Sequence, residues 1–414
     1  MTTWKTVRVS DLGNVVTGRT PPSSQPEYFG DEYPFITPTD MGEGHRHIRT
    51  ERFLSESGRN SQVRTLLPVG SACFCCIGSI GKTCLTARPS FTNQQINSVV
   101  VDRSRHDSNF VYYLLRTLVE RVQSIAGGAA TPIVNKSAFS GLEVQVPDDL
   151  TCEQKIASVL GAYDELIENN RRRIEILEEM TRRLYREWFV QFRFPGHAHV
   201  PLGKIPKGWE VRQLEAFGEI ITGKTPSKQT PEFFGGYMPF IKLPDMHGNI
   251  FCLSTEDGLS KLGTESQRKK TIPASSLCVS CIGTAGIVTI TSVASQTNQQ
   301  INSIVLRNSR DLEFLYFTLV ELKETIVRYG ATGATMTNLN RGKFAALEVV
   351  CPSESLVAKF QTIASPVFEQ ILNLQRRNAN LQTTRDLLLP RLISGELDVS
   401  ELPIEVEEAA RDGE

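Results

Sequence analysis

The sequence predicts an α+β chain: two similar modules of mixed strands and helices, joined by two long antiparallel helices forming a coiled-coil-like spacer. Three observations lead there. The heptapeptide TNQQINS at Thr92–Ser98 returns letter for letter at Thr297–Ser303, 205 residues later. At the same offset GRTP from Gly18 answers GKTP from Gly223, and PEYFG from Pro26 answers PEFFG from Pro231. PFITPTDM from Pro34 likewise answers PFIKLPDM from Pro239, CFCCIGSIG from Cys73 answers CVSCIGTAG from Cys278, and Trp4 answers Trp209. Second, the repeated stretch reads as short β-branched runs broken by Gly and Pro, the texture of strands and turns. Third, each copy is followed by a long stretch whose apolar residues recur at helical spacing.

The first module, residues 1–150, opens with TVRVSDLG and NVVTG, alternating runs punctuated at Gly13, Gly18, Pro21 and Pro22. YPFIT near Pro34, Ser71–Ile80 and INSVVV from Ile96 follow as strands, the last rich in β-branched residues suited to burial. Phe110–Ser124 carries helical spacing, and the Gly-rich AGGAAT leads into a closing strand, LEVQVP. The texture then changes. Thr151 and Gln154 have the spacing of a capping box. From there Ile156, Leu160, Tyr163, Ile167, Asn170, Ile174, Leu177, Thr181, Leu184 and Trp188 alternate steps of four and three, the seam of a coiled coil. This first spacer helix, 151–192, makes a rod of about 55 Å at about 1.5 Å per residue. Asn170 on its seam is the kind of polar residue that fixes register.

A linker at 193–208 restarts the module at 209–352. The second spacer helix, 353–397, is less regular: Ile363, Val367, Ile371, Leu374, Leu381, Leu388 and Leu392 form its stripe, interrupted by Asn378 and Arg385. Pro366 is expected to restrict or kink its beginning and Pro390 its end. Residues 398–414 read as a flexible acidic tail.

Composition bounds the function. Hydrophobic content of 40% and charged content of 22% suit a soluble globular protein of two or three domains. No run approaches the length of a membrane span, and MTTWKTVRVSDLG lacks the apolar core of a signal peptide, so the expected location is the cytoplasm. Nine cysteines, an odd count set in apolar runs, fit reduced thiols. The net charge is −1, yet the stretch from Glu396 onward holds eight acidic residues against Arg411. The remaining body has 44 basic and 38 acidic residues, +6, compatible with a polyanion on one face and equally with an ordinary solvated surface.

Catalytic and metal signatures are weak. GSIGKT at Gly78 resembles the end of a phosphate loop, but Cys76 stands where that pattern needs glycine, and the second copy reads GTAGIV. Cys73/Cys76 and Cys278/Cys281 are spaced CxxC, yet in a strand i and i+3 face opposite ways, so buried small side chains are the better reading than a metal site. His45/His47 and His197/His199 lack companion ligands. Asp40/Asp245 and Glu143/Glu348 match between copies, but each serves equally as a turn or strand-end residue. No catalytic residue and no metal ligand is assigned.

The copies share carboxamides most strictly: Asn93, Gln94, Gln95 and Asn298, Gln299, Gln300. Such groups read adenine in a major groove, or brace a loop through hydrogen bonds to backbone. Being identical in both copies they cannot tell two targets apart, which favours a shared framework. The polar positions that differ are the better base-reading candidates. HRHIR, with His45, Arg46, His47 and Arg49, faces IFCLS in the second copy; RNSQVRT, with Arg59, Asn60 and Arg64, faces TESQRKK, with Arg268, Lys269 and Lys270. Asn249 and Lys261 complete this set, which lies within 42–66 and 247–271. Arg19, Lys82, Lys136, Lys224 and Arg341, beside glycine-rich turns, are candidates for phosphate contact.

Module, helix, module, helix closely resembles the specificity subunit of type I restriction–modification systems. The residues that carry the resemblance are TGRTP/TGKTP, the IG-x-x-G segments, both TNQQINS stretches, AATP/GATM, CEQKIASVL, RRLYREWFVQFRFPG, PLGKIPKGWEV and RDLLLPRLISGEL, covering nearly all of residues 1–400. The resemblance implies two target-recognition domains, each reading half of a split site on double-stranded DNA. The helices would set the unread spacer and dock two methyltransferase subunits, with Ile156, Leu160, Ile167, Asn170, Leu177, Leu184, Trp188, Leu374, Leu381 and Leu388 along the helix seams. It also implies that S-adenosylmethionine, ATP and Mg belong to methyltransferase and restriction/translocase partners, with no cofactor on this non-catalytic chain and no membrane partner. The second helix departs from the pattern, with AKF at Ala358 in place of EQ. The alternative class is a tandem-repeat protein-interaction scaffold, or a binder of another ligand on the same fold.

Overall fold

The structure is a computed structural model and describes residues 3–42, 46–126, 132–196, 205–331 and 338–404. Four expectations lie outside the described residues: those on His45, on His197 and His199, on most of both Gly-rich loops, and on the tail from residue 405. The chain forms two compact units, Met1–Asn169 with Asn378–Glu414, and Asn170–Arg377. Each unit thus combines one repeated module with parts of both long helices.

In the first unit, strands Gly13–Thr17, Ile96–Val101, Ala72–Cys75 and Thr83–Leu85 lie in that spatial order in an antiparallel sheet. Strand alternation gives it two buried faces: Ala72 and Phe74 enter one core, Cys73 and Cys75 the other. Strand Phe29–Ile36 centres a three-stranded sheet, and Trp4–Arg8 pairs antiparallel with Glu143–Pro147. The expected helix over 110–124 is two, Ser108–Thr117 and Val119–Ile125, meeting at Leu118; Asp107 caps the first by accepting the Phe110 N–H at 2.8 Å.

The first long helix runs Leu150–Tyr185 and ends in a π-turn, Arg186–Val190. Its cap is Asp149, whose carboxylate accepts the Thr151 N–H at 2.9 Å, and not the expected box at Thr151. Glu153 is drawn elsewhere: its carboxylate meets His106 Nδ1 at 2.8 Å and accepts the Asp107 N–H at 2.8 Å. Burial pushes the Glu153 carboxyl up, while His106 and that N–H oppose the shift. Ile156, Leu160, Leu389 and Leu392 enter the module core, each burial stabilising by about 2 kcal/mol, so both helices are held firmly against the sheet layer. Gly395 ends the second helix at φ +77°, donating to Leu392 O at 3.3 Å; a Cβ there would stand 2.5 Å from the Trp4 indole nitrogen.

The helices run antiparallel in this unit, Asp164 meeting Arg385 and Ile167 O accepting from Asn378 Nδ2 at 3.3 Å. The two residues that break the apolar stripe are therefore buried and partnered. Tyr113 donates to the same Asp164 carboxylate at 2.6 Å. At the corresponding place the second unit has Phe317 and Phe368, 204 residues after Tyr113 and Asp164, and Thr181, 204 residues before Arg385, with the two rings edge to face at 5.7 Å. One unit solves this junction with charge, the other with aromatic packing.

The second unit repeats the sheet with a fifth strand, Phe251–Cys252, parallel to Val288–Thr291; the first unit has only a bridge between His47 and Leu85 there. Trp209 is held by Phe189, Phe192 and Phe194, the last stacked at 5.5 Å, just as Trp4 is held by the end of the other helix. The second long helix runs over Glu354–Ile393, continuing through Pro366 and stopping three residues after Pro390. Pro366 faces solvent, and burial of Phe360, Ala364, Phe368 and Ile371 on the opposite side offsets the hydrogen bond it removes. The buried stripe includes Leu356, Val357 and Phe360, while Ile363 is 48% exposed. Among the seam positions Ile156, Leu160, Ile167, Asn170, Trp188 and Leu374 are buried, and Leu177, Leu184, Leu381 and Leu388 half-buried. Leu177, Leu184 and Leu388 pack at the edges of the module cores. Among the described residues no helix is long and apolar enough to cross a membrane.

Candidate nucleic-acid interface

The repeated carboxamides build one turn twice. Asn93 Oδ1 accepts the Gln95 N–H at 3.1 Å and its Nδ2 donates to Gln95 Oε1 at 2.8 Å; Asn298 and Gln300 do the same at 3.0 and 2.9 Å. Thr20 donates to Gln94 and Thr225 to Gln299, both at 2.6 Å, while Thr17 and Thr222 donate to Asn97 and Asn302 at 2.6 Å. Each G-x-T-P loop is thereby strapped onto its TNQQINS turn. Gly18 permits the contact: a Cβ there would lie 2.3 Å from the Thr92 and Asn93 carbonyl oxygens, and Gly223 is as tightly placed. Arg19 and Lys224, one residue on, are exposed, as are Gln94 and Gln299.

A second loop abuts the first. In the second unit, helix Lys261–Ser266 is followed by the 3-10 turn Arg268–Lys270, with Lys261, Arg268 and Lys269 exposed and Lys270 half-buried. The intervening Gln267 is buried and donates to Lys224 O and to Gln296 Oε1, both at 2.8 Å, tying the basic turn to the glycine loop. This brings Lys224 and the Arg268–Lys270 group to one surface. In the first unit Gln62 is likewise buried, but Phe91 stands where the partner carboxamide was, and Gln62 Nε2 has no partner. Asn60, Arg64 and Arg49 are exposed there. Arg59 is half-buried, pairs with Glu56 and lies over the Tyr33 ring at 5.6 Å. The Tyr33 hydroxyl, with Arg59, holds the Glu56 carboxyl below its ordinary range.

Lys136 and Arg341 each open a short helix at the same place in the two copies, capped by Asn135 and Asn340. Arg341 also donates to Ile220 O at 2.9 Å and walls an open groove of about 810 Å³ with Arg212, Arg307, Glu215 and Glu219, a surface not singled out from the sequence. Lys82 differs: half-buried, its ammonium donates to Pro38 O at 2.8 Å, closing a loop.

Three base-reading candidates make contacts within their own unit, with His47 and Asn249 still exposed. Arg46 is directed onto the first long helix, Asn249 meets Gln375 of the second, and His47 approaches Leu85 O at 3.3 Å. Burial, then the Arg46 charge, lower the His47 pKa. His45 lies outside the described residues. What the sequence left unseen was that this variable segment borders a helix; the apolar IFCLS in the second copy is the signal that could have shown it.

Asp40 is a turn residue, accepting from the Thr37 N–H and hydroxyl at 2.7 Å, and Asp245 accepts from the Lys242 N–H at 2.7 Å. All nine cysteines are buried and free, and Cys73 and Cys76 enter opposite cores, as do Cys278 and Cys281. Burial pushes the Cys76 and Cys278 thiols up to about 12. Among the described residues no group of three or more His, Cys, Asp or Glu could hold a metal ion.

The family described as the type I restriction modification DNA specificity domain matches residues 1–179 and again 206–379. The chain belongs to that family. It is a DNA-specificity subunit, the targeting and non-catalytic component of a type I restriction–modification system. The HindI specificity subunit of Haemophilus influenzae is 35% identical over 328 residues, which span 64% of this chain and 71% of the relative. The MjaIX specificity subunit of Methanocaldococcus jannaschii is 28% identical over 413 residues, 96% of this subunit and 94% of its own length. The crystal structure of the S subunit from M. genitalium shares the fold, with a TM-score of 0.59 at 16% identity, covering 94% of this subunit and 96% of that chain.

Proposed function

We propose that this specificity subunit reads a bipartite DNA site, one module per half-site, and docks methyltransferase subunits along its long helices. The observation that carries the reading is the carboxamide turn with its strapped G-x-T-P loop, whose hydrogen bonds repeat in both modules, while the exposed polar groups of the neighbouring loop differ. An identical frame gives both modules the same approach to the duplex. Different side chains on it, Asn60 and Arg64 in one and Lys261, Arg268 and Lys269 in the other, give each module its own sequence. Arg19, Lys136, Lys224 and Arg341 supply the charge that meets phosphates and sets register without carrying sequence information. Two methyltransferase partners would hold S-adenosylmethionine, and a restriction/translocase partner ATP and Mg, in the cytoplasm.

The long helices act in this reading as the ruler. Inserting one heptad into each, between Ile167 and Ile174 and between Ile371 and Asn378, is expected to change the number of unread base pairs between the half-sites while leaving both half-sites intact. Long-read methylation profiling of a host carrying the variant and its partner measures this. An unchanged spacer in an active variant would contradict the ruler.

A further inference from the structure

Two segments that differ between the copies sit at one equivalent sheet edge, where the Arg46 carbonyl accepts the Leu85 N–H at 2.7 Å and the Ile250 carbonyl accepts the Ile290 N–H at 2.8 Å. In both units that edge is fastened to a long helix, by different chemistry. In the first unit the Arg46 guanidinium reaches the first long helix, with Nη2 3.2 Å from Glu165 Oε1 and Nη1 3.5 Å from Asn109 Oδ1. It passes over Gly161, where a Cβ would stand 3.1 Å from Nη1. A glycine inside a helix costs about 1 kcal/mol relative to alanine, and here it makes room for the guanidinium. In the second unit the clasp comes from the helix. Gln375, 4% exposed, donates to Asn249 Oδ1 at 2.7 Å and accepts the Phe251 N–H at 3.3 Å, while the Phe251 ring sets its edge on Phe368 at 6.2 Å. The counterparts 204 residues apart do not interchange: Ile250 stands in the place of Arg46, and Ser365 in that of Gly161.

We propose that Arg46 and Gln375 are positioning residues that clasp each recognition module to its long-helix segment and thereby fix the spacing accepted between the two half-sites. The inference rests on the split-site reading above. A change of one base pair in the spacer moves a half-site by about 3.4 Å along the duplex and about 35° around it. A module free to tilt on its helix can follow part of that motion. One held by a two-point carboxamide clasp, or by a guanidinium seated between two acceptors, cannot, because such hydrogen bonds are lost within about half an ångström of stretch. The clasp therefore acts on spacing and not on base identity.

The test uses the full chain co-purified with its methyltransferase partner, as wild type, Arg46→Ala and Gln375→Ala. Each is assayed by single-turnover methylation on duplexes with the native half-sites and spacers one base pair shorter, native and one longer. Loss of either clasp is expected to reduce discrimination against the wrong spacers about tenfold, the effect of about 1.4 kcal/mol, with the rate on the native spacer within about threefold and the same bases required in each half-site. Thermal melting run in parallel separates this from simple destabilisation, and Arg46→Ala, at a partly exposed site, stands if Gln375→Ala proves unstable. Unchanged spacer discrimination in a stably folded variant overturns the proposal. So does a changed base preference in either half-site, which would make these residues readers. A wild-type enzyme that methylates an unsplit sequence would remove the split-site reading and this proposal together.

Discussion

Replacing Arg385 by alanine is expected to cost the first unit about 3–5 kcal/mol of stability, because it strands a buried carboxylate. Asp164 and Arg385 have side chains 5% and 3% exposed, and Tyr113 donates to the same carboxylate. Asp386, the other carboxylate paired with Arg385, is half exposed and stays solvated when that partner is lost, so the penalty falls on Asp164. At about 2–4 °C per kcal/mol for a unit of this size, its melting transition should fall by about 10 °C. The second unit supplies the control. The triple variant Tyr113→Phe, Asp164→Phe, Arg385→Thr copies Phe317, Phe368 and Thr181 into the first unit, and it is expected to recover most of the loss, since a buried ion pair exchanged for apolar packing is often neutral or better. Calorimetry of the three proteins decides it. An Arg385→Ala protein that melts like wild type would show the pair to be a bystander.

The second large effect is on DNA. Gly18→Ala puts a methyl group 2.3 Å from two backbone oxygens, neither of which can rotate away. The G-x-T-P loop must lift, breaking the Thr20–Gln94 bond and moving Arg19. Overpacking of this kind costs about 1–3 kcal/mol, and if that cost falls on the bound form the affinity drops about 10- to 100-fold. Gly223→Ala should do the same through the second module. Gly236→Ala is the matched control, since a Cβ there meets nothing within 4 Å; its affinity should stay within about twofold. Anisotropy titration of the subunit–methyltransferase complex on its own site reads all three. Equal affinities for Gly18→Ala and Gly236→Ala would remove the loop from the interface.

Much of this architecture was legible because its signals are local. The exact return of TNQQINS marked the repeat, alternation placed strands such as Ile96–Val101, and the four-three seam placed the helix that runs Leu150–Tyr185. The reasoning that identical carboxamides brace rather than discriminate accords with their internal hydrogen bonds. Non-local chemistry was not legible. Arg385 interrupts a stripe when read along one helix; its reason lies 221 residues away at Asp164. Pro366 reads as a breaker until the aromatic packing across from it is known. Arg46 looks like a solvent-facing reader because nothing in HRHIR reveals that Glu165 and Gly161 lie beneath it. The Thr151–Gln154 spacing placed the cap two residues late, because the helix already begins at Leu150 with the Asp149 carboxylate accepting the Thr151 N–H.

The central claim, one module for each half of a split site, is tested most directly by exchanging residues 1–147 for the equivalent module of another specificity subunit, with Arg46 retained at the helix-facing edge. The methylated sequence of a host expressing the chimera with its methyltransferase partner is then read genome-wide. One half-site should change, while the other half-site and the spacer length persist. A chimera that alters both half-sites, or neither, would contradict the account.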